Sequence, residues 1–86
     1  MKVSVELTLT PLQNDFEGPI INFITKLRAS EFIVLENPLS TQVYGDYDQV
    51  MHLLTTEIKD VFELIDQGLL YMKIVKSDRS NYEAHF

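Results

Sequence analysis

NPLSTQVYGDYD, residues 37–48, holds a turn, a strand and the start of a helix in one short run. Asn37 and Pro38 favour a tight turn. Gln42, Val43 and Tyr44 alternate polar with apolar, so Thr41 to Gly45 is predicted as a strand, and the Gly45-Asp46 step breaks it before a helix. Beyond Asp46 the apolar period changes from two to about 3.6: Val50, Leu53, Leu54, Ile58, Val61, Phe62 and Ile65 share one helical face. Asp46 and Gln49 stand at capping-box spacing, and Gly68 is placed to end the helix in a left-handed turn.

Upstream, Val3, Val5, Leu7 and Leu9 alternate strictly with Lys2, Ser4, Glu6, Thr8 and Thr10, the pattern of a strand buried on one face. Pro11 removes a donor and is expected to end that strand. Gly18 and Pro19 mark a helix start behind Asp15 and Glu17, and Ile20, Phe23, Ile24 and Leu27 follow at i, i+3, i+4 and i+7. Phe32 to Leu35 is a short second strand. Downstream, Leu70 to Lys76 is a fourth strand, with Leu70, Met72 and Ile74 on one face and Tyr71, Lys73 and Val75 on the other.

The order is strand, helix, strand, strand, helix, strand. Right-handed crossovers place both helices on one face of a four-stranded antiparallel sheet, a ferredoxin-like α+β sandwich (βαββαβ). The chain divides into a single domain, residues 1–79, and a polar tail, residues 80–86. The first and third strands become the central pair, and one sheet face has no helix over it.

Composition narrows the function. The 86 residues contain no cysteine, so disulfides, thiolate metal sites and cysteine nucleophiles are excluded, and a cytoplasmic location is expected. Seven basic against thirteen acidic residues give a net charge of −6 with no basic cluster, which disfavours nucleic acid and anionic membrane surfaces as partners. Apolar runs fall far short of the roughly 20 residues of a membrane helix, and the N-terminal alternation is unlike a signal-peptide core. His52 and His85 have no companions at metal-ligand spacing, there is no phosphate-cradling glycine loop, and Asp46 and Asp48 belong to a helix start. Neither a metal, a cofactor nor a catalytic group is expected.

The uncovered face carries the candidate ligand-binding residues. Strand phase puts Ser4, Glu6 and Thr8 there from the first strand, Gln42 and Tyr44 from the third, and Tyr71, Lys73 and Val75 from the fourth, with Glu6, Thr8, Gln42, Tyr44, Tyr71 and Lys73 the candidate binding residues among them. Glu6 is either solvated or paired with Lys73 across the strands, or it accepts hydrogen bonds from a nitrogen-rich ligand. Tyr44 and Tyr71 offer either stacking walls for a flat heterocycle or packing surface for a second subunit. Ser40 and Thr41 direct hydroxyls either to a ligand or to nearby turn backbone.

Pro38-Leu39-Ser40-Thr41, then Val43, Gly45 and Asp46 ahead of a long amphipathic helix, resembles the small thiamine-binding proteins related to YkoF. There the pattern runs Pro, Met or Leu, Gly or Ser, Thr, a short strand, and Gly-Asp or Gly-Glu. Thr10-Pro11-Leu12 and Lys76-Ser77-Asp78-Arg79 are similar to that family's first strand and terminal Asp-Arg element. The chain departs from it at Leu35-Glu36 and in its ending, Tyr82 to Phe86. The resemblance implies self-association to a dimer or tetramer, with sheets extended or stacked between subunits. It further implies that thiamine or a hydroxymethylpyrimidine-like small molecule is bound without catalysis at the open face near a subunit interface. Only Ser40 and Thr41 carry over by motif position. The alternative is a structural or regulatory oligomerisation module without a ligand; an enzyme with Glu6 and Lys73 as acid and base ranks below both.

Overall fold

The computed structural model describes residues 1–85. Its elements are β1 (Lys2–Pro11), α1 (Glu17–Arg28), β2 (Ile33–Glu36), β3 (Thr41–Asp46), α2 (Tyr47–Leu64) and β4 (Gly68–Val75). The sheet is antiparallel throughout, with strand order β2-β3-β1-β4, so the expected ferredoxin-like arrangement is the one observed. Phe86, the last residue of the expected tail, lies outside the described residues.

The alternating valines and leucines of β1 form the floor of the core. Val3, Val5, Leu7 and Leu9 point inward with Val43 of β3, and Phe23 and Leu27 of α1 and Val50, Leu54 and Val61 of α2 close over them. Leu7, Leu27 and Leu54 are among the fully buried side chains, and truncating any one to Ala would cost about 2 to 5 kcal/mol in lost burial and cavity. Lys26 of α1 lies 3.8 Å from Glu57 and 3.7 Å from Asp60 of α2, tying the helices at their solvent edge. The two helices pack mainly over β1 and β3. The inward row of β4 is therefore only partly covered: Leu70 packs against the core, while Met72 and Ile74 are exposed.

Three local expectations are corrected. Pro11 does not end β1 ahead of itself: it lies within the strand, opposite Gly68. Asp46 is the N-cap of α2 by backbone conformation but makes no side-chain cap; its carboxylate lies 3.6 Å from Lys2, its register partner on β1, and the Tyr47 N–H donates to the Met1 carbonyl at 2.9 Å. Gly68 opens β4 instead of ending α2, and no glycine has a positive φ.

Gly45 has a packing reason. A Cβ there would stand 2.6 Å from Phe32 Cδ1 and 3.0 Å from Val50 Cγ2. The aromatic ring just ahead of β2 thus lies flush against the end of β3, where a side chain would push it away.

Candidate functional site

The register sets the uncovered face in rows. Ile33, Tyr44, Ser4 and Val75 make one row, and Leu35, Gln42, Glu6 and Lys73 make the next. Thr8 and Tyr71 stand opposite each other beyond them. Side chains two apart along a strand share a face, so Ser40, Gln42 and Tyr44 point the same way.

The turn that begins the quoted stretch is built to hold Ser40. Asn37 Oδ1 accepts the N–H groups of Leu39 at 2.8 Å and Ser40 at 3.0 Å, and the Asn37 N–H donates to the Ser40 carbonyl at 3.1 Å. Thr8 Oγ1 donates to the Leu39 carbonyl at 3.2 Å, fastening the turn to the central strand. The Ser40 hydroxyl then donates to Glu6 Oε2 at 3.0 Å and accepts from Gln42 Nε2 at 2.7 Å. Ser40 therefore serves a carboxylate across the sheet, not its own turn backbone. Lys73 is the register partner of Glu6 but is not within 4.0 Å of it.

A second anchor comes from the chain beyond β4. Ser4 Oγ donates to the Ser77 carbonyl at 2.7 Å and accepts the Arg79 N–H at 2.9 Å, so a buried hydroxyl on the central strand clamps residues 77–79 over the sheet. Arg79 Nε donates to Ser77 Oγ at 2.8 Å. Between this strap and the sheet lies a cleft of about 120 Å³ whose lining includes Glu6, Gln42, Tyr44, Lys73, Val75 and Arg79. It adjoins a wider depression of about 710 Å³ along Glu6, Lys73, Val75, Arg79 and Tyr82.

Burial, and after it the neighbouring carboxylates of Asp78 and Glu6, push the Tyr44 phenol above its ordinary pKa, so at neutral pH it is a hydrogen-bond donor at the cleft wall. Asp78 is held below the usual carboxylate range, first by the Ser80 hydroxyl and then by the Ser80 N–H, with Lys2 nearby and burial opposing. Those bonds, at 2.6 and 2.9 Å, shape the turn that follows the strap.

Of the residues singled out in the sequence, Glu6, Ser40, Gln42, Tyr44 and Lys73 come together. Thr8 supports the turn from outside the cleft. Tyr71 is 58% exposed on the same face but does not line the cleft. Thr41 lies on the other side of the sheet, 7% exposed and opposite Leu7, because the alternation that turns Val43 inward turns Thr41 inward too. Arg79, Ser4 and Val75 complete the surroundings. Arg79 falls in the Asp-Arg element already noted, but its position depends on a hydrogen bond to a residue at the far end of the chain. Among the described residues no group of His, Cys, Asp or Glu is placed to hold a metal, and no helix is long and apolar enough to cross a membrane.

A ferredoxin-like fold with a small cleft on its uncovered sheet face is the class these features define. No protein-family model matches the chain, and no curated protein does. Solved structures do match in fold. Protein SP2199 from Streptococcus pneumoniae aligns with a TM-score of 0.85 and 24% identity, covering 94% of this chain and 92% of that one. A Thermotoga maritima protein, TM0486, described provisionally as a thiamine biosynthesis or salvage protein, aligns with a TM-score of 0.81 and 19% identity over 90% of this chain and 85% of its own. A domain of unknown function, DUF77, from Bacillus cereus aligns at 0.76 and 12% identity, over 91% and 78%. At these identities the likeness is one of fold.

Proposed function

We propose that the protein binds thiamine or a related hydroxymethylpyrimidine-type ligand at its open sheet face, as a homo-oligomer and without catalysis. The observation that carries this reading is the Gln42–Ser40–Glu6 chain of hydrogen bonds, which fixes a carboxylate at the floor of a cleft. An aminopyrimidine edge presents an N–H donor and a ring-nitrogen acceptor side by side; Glu6 accepts from the first, and Gln42 and Tyr44 supply polar atoms for the second. Tyr44 adds an aromatic wall. The motif resemblance to thiamine-binding proteins and the provisional description of the Thermotoga neighbour support the same ligand class.

Size supports the oligomer. Ligand pockets typically enclose about 300 to 1,000 Å³, whereas the inner cleft offers only about 120 Å³ and the outer depression is open. One subunit holds the ring, and a second closes over the rest. The reading without catalysis is supported by Glu6 being bonded to Ser40 and not lying within 4.0 Å of Lys73, the group with which it would form an acid and base pair. Isothermal titration with thiamine and with hydroxymethylpyrimidine tests the reading. Saturable heat is expected; none at millimolar ligand would sink it.

A second reading, an oligomerisation module with no ligand, draws on Ile33, Leu35 and Tyr71, which are 55%, 44% and 58% exposed on this face. It requires partner side chains to fill the cleft, leaving no enclosed polar space.

A further inference from the structure

We infer that the preferred ligand bears an anionic group of the phosphate monoester class, held by Lys73 and Arg79; the inference rests on the ligand-binding reading above. Both cations line the inner cleft, and both also line the wider depression beside it. In a chain with thirteen acidic and only seven basic residues, two cations on one cleft are not the product of a basic surface.

Lys2, Lys26 and Arg28 each have a carboxylate within 4.0 Å, whereas among the described residues Lys59, Lys73, Lys76 and Arg79 have none, and of these four Lys73 and Arg79 are the two that line the cleft. Glu6 is the natural counterion of Lys73, directly across the ladder, but Ser40 holds its Oε2 from the β3 side, away from β4. Two cations and one carboxylate line the cleft, while Asp78, whose charge also reaches Tyr44, is bonded to Ser80.

Arg79 is positioned for this task. Its backbone N–H is fixed to Ser4 and its Nε to Ser77, so the terminal nitrogens of the guanidinium keep their donors for a ligand. A guanidinium and an ammonium flanking a cleft match phosphate oxygens, the first by paired N–H donors and the second as a point charge. To a neutral hydroxymethyl group they offer only ordinary hydrogen bonds, whereas a phosphate meets them with full opposite charge. The aromatic ring at Glu6, Gln42 and Tyr44 with a phosphate toward Lys73 and Arg79 uses every polar side chain of the lining except Ser4, which holds the strap.

The test is titration of the intact chain with hydroxymethylpyrimidine and with its monophosphate, at low and at raised salt. The monophosphate is expected to bind at least about tenfold more tightly at low salt, with the advantage shrinking as salt screens the charges. Lys73→Gln and Arg79→Gln should each lower the ratio of the two affinities, and Lys73→Arg should restore much of it. Both side chains are exposed, and unchanged melting temperatures would show that the variants fold. Equal binding of the two compounds, or a ratio that survives both substitutions, overturns this inference and leaves the ligand reading standing. Binding of neither compound overturns both.

Discussion

The Ser40 hydroxyl donates to Glu6 Oε2 across 3.0 Å, joining two residues 34 positions apart in sequence. The bond turns a mid-strand glutamate from a solvated group into an aimed one, because Ser40 is itself held by Gln42 and by the Asn37 turn. Ser40→Ala should leave the fold intact at a cost of about 1.5 to 3 kcal/mol, the usual range for one hydrogen bond to a charged group. Ligand affinity should fall by about tenfold, as Glu6 becomes free to swing toward Lys73. Calorimetric titration alongside urea denaturation separates the two effects.

Gly45 tests the packing that joins β2 to the end of β3. Gly45→Ala drives a methyl into the Phe32 ring, 2.6 Å from Cδ1, and onto Val50. Destabilisation by about 1 to 3 kcal/mol is expected, as for other overpacked sites. Phe32→Leu in the same chain should recover part of it, read as the shift in urea midpoint.

Ser4→Ala should release the strap formed by residues 77–79. The Arg79 N–H and the Ser77 carbonyl each lose their side-chain partner. A stability loss of about 1 to 3 kcal/mol is expected, with faster amide exchange confined to residues 77–82 and weaker binding of any ligand that needs Arg79. Exchange spreading evenly through β1 would show instead that Ser4 serves the sheet alone.

The strands were readable because one face of each is buried. Period-two alternation over β1 and β3 brings Glu6 opposite Gln42, and the same alternation in β4 brings it opposite Lys73. What escaped reading depends on contacts distant in sequence. The Asp46 carboxylate fits a capping box by spacing, yet pairing of β1 with β3 sets Lys2 beside it and draws it off the helix. Gly45 looks like a strand break, but its constraint is the Phe32 ring just ahead of β2. Thr41 shares a motif with Ser40 and faces the core, since adjacent strand residues point to opposite sides. Arg79 follows the last strand, where no periodicity speaks; only its bond to Ser4 brings it to the cleft.

Asp78 gives a pH signature. Its pKa is depressed in the folded chain by Ser80, so the unfolded chain binds more protons between the depressed value and the ordinary one near 3.9. Its contribution to stability is fully present above about pH 5 and is lost as pH falls through the folded value. Asp78→Asn should therefore lower the melting temperature at neutral pH, and the gap to the parent chain should narrow as pH falls below the ordinary carboxylate range. Glu36, held low by its hydrogen bonds to Arg28, titrates in the same sense in both proteins and drops out of the difference.

A crystal structure of the assembled protein grown with hydroxymethylpyrimidine tests the ligand reading most directly. The ring is expected on the open face, with its amino group on the Glu6 carboxylate, Tyr44 along one side, and a second subunit closing the cleft. A cleft filled by partner side chains, or a ring bound elsewhere with Glu6 untouched, would contradict it.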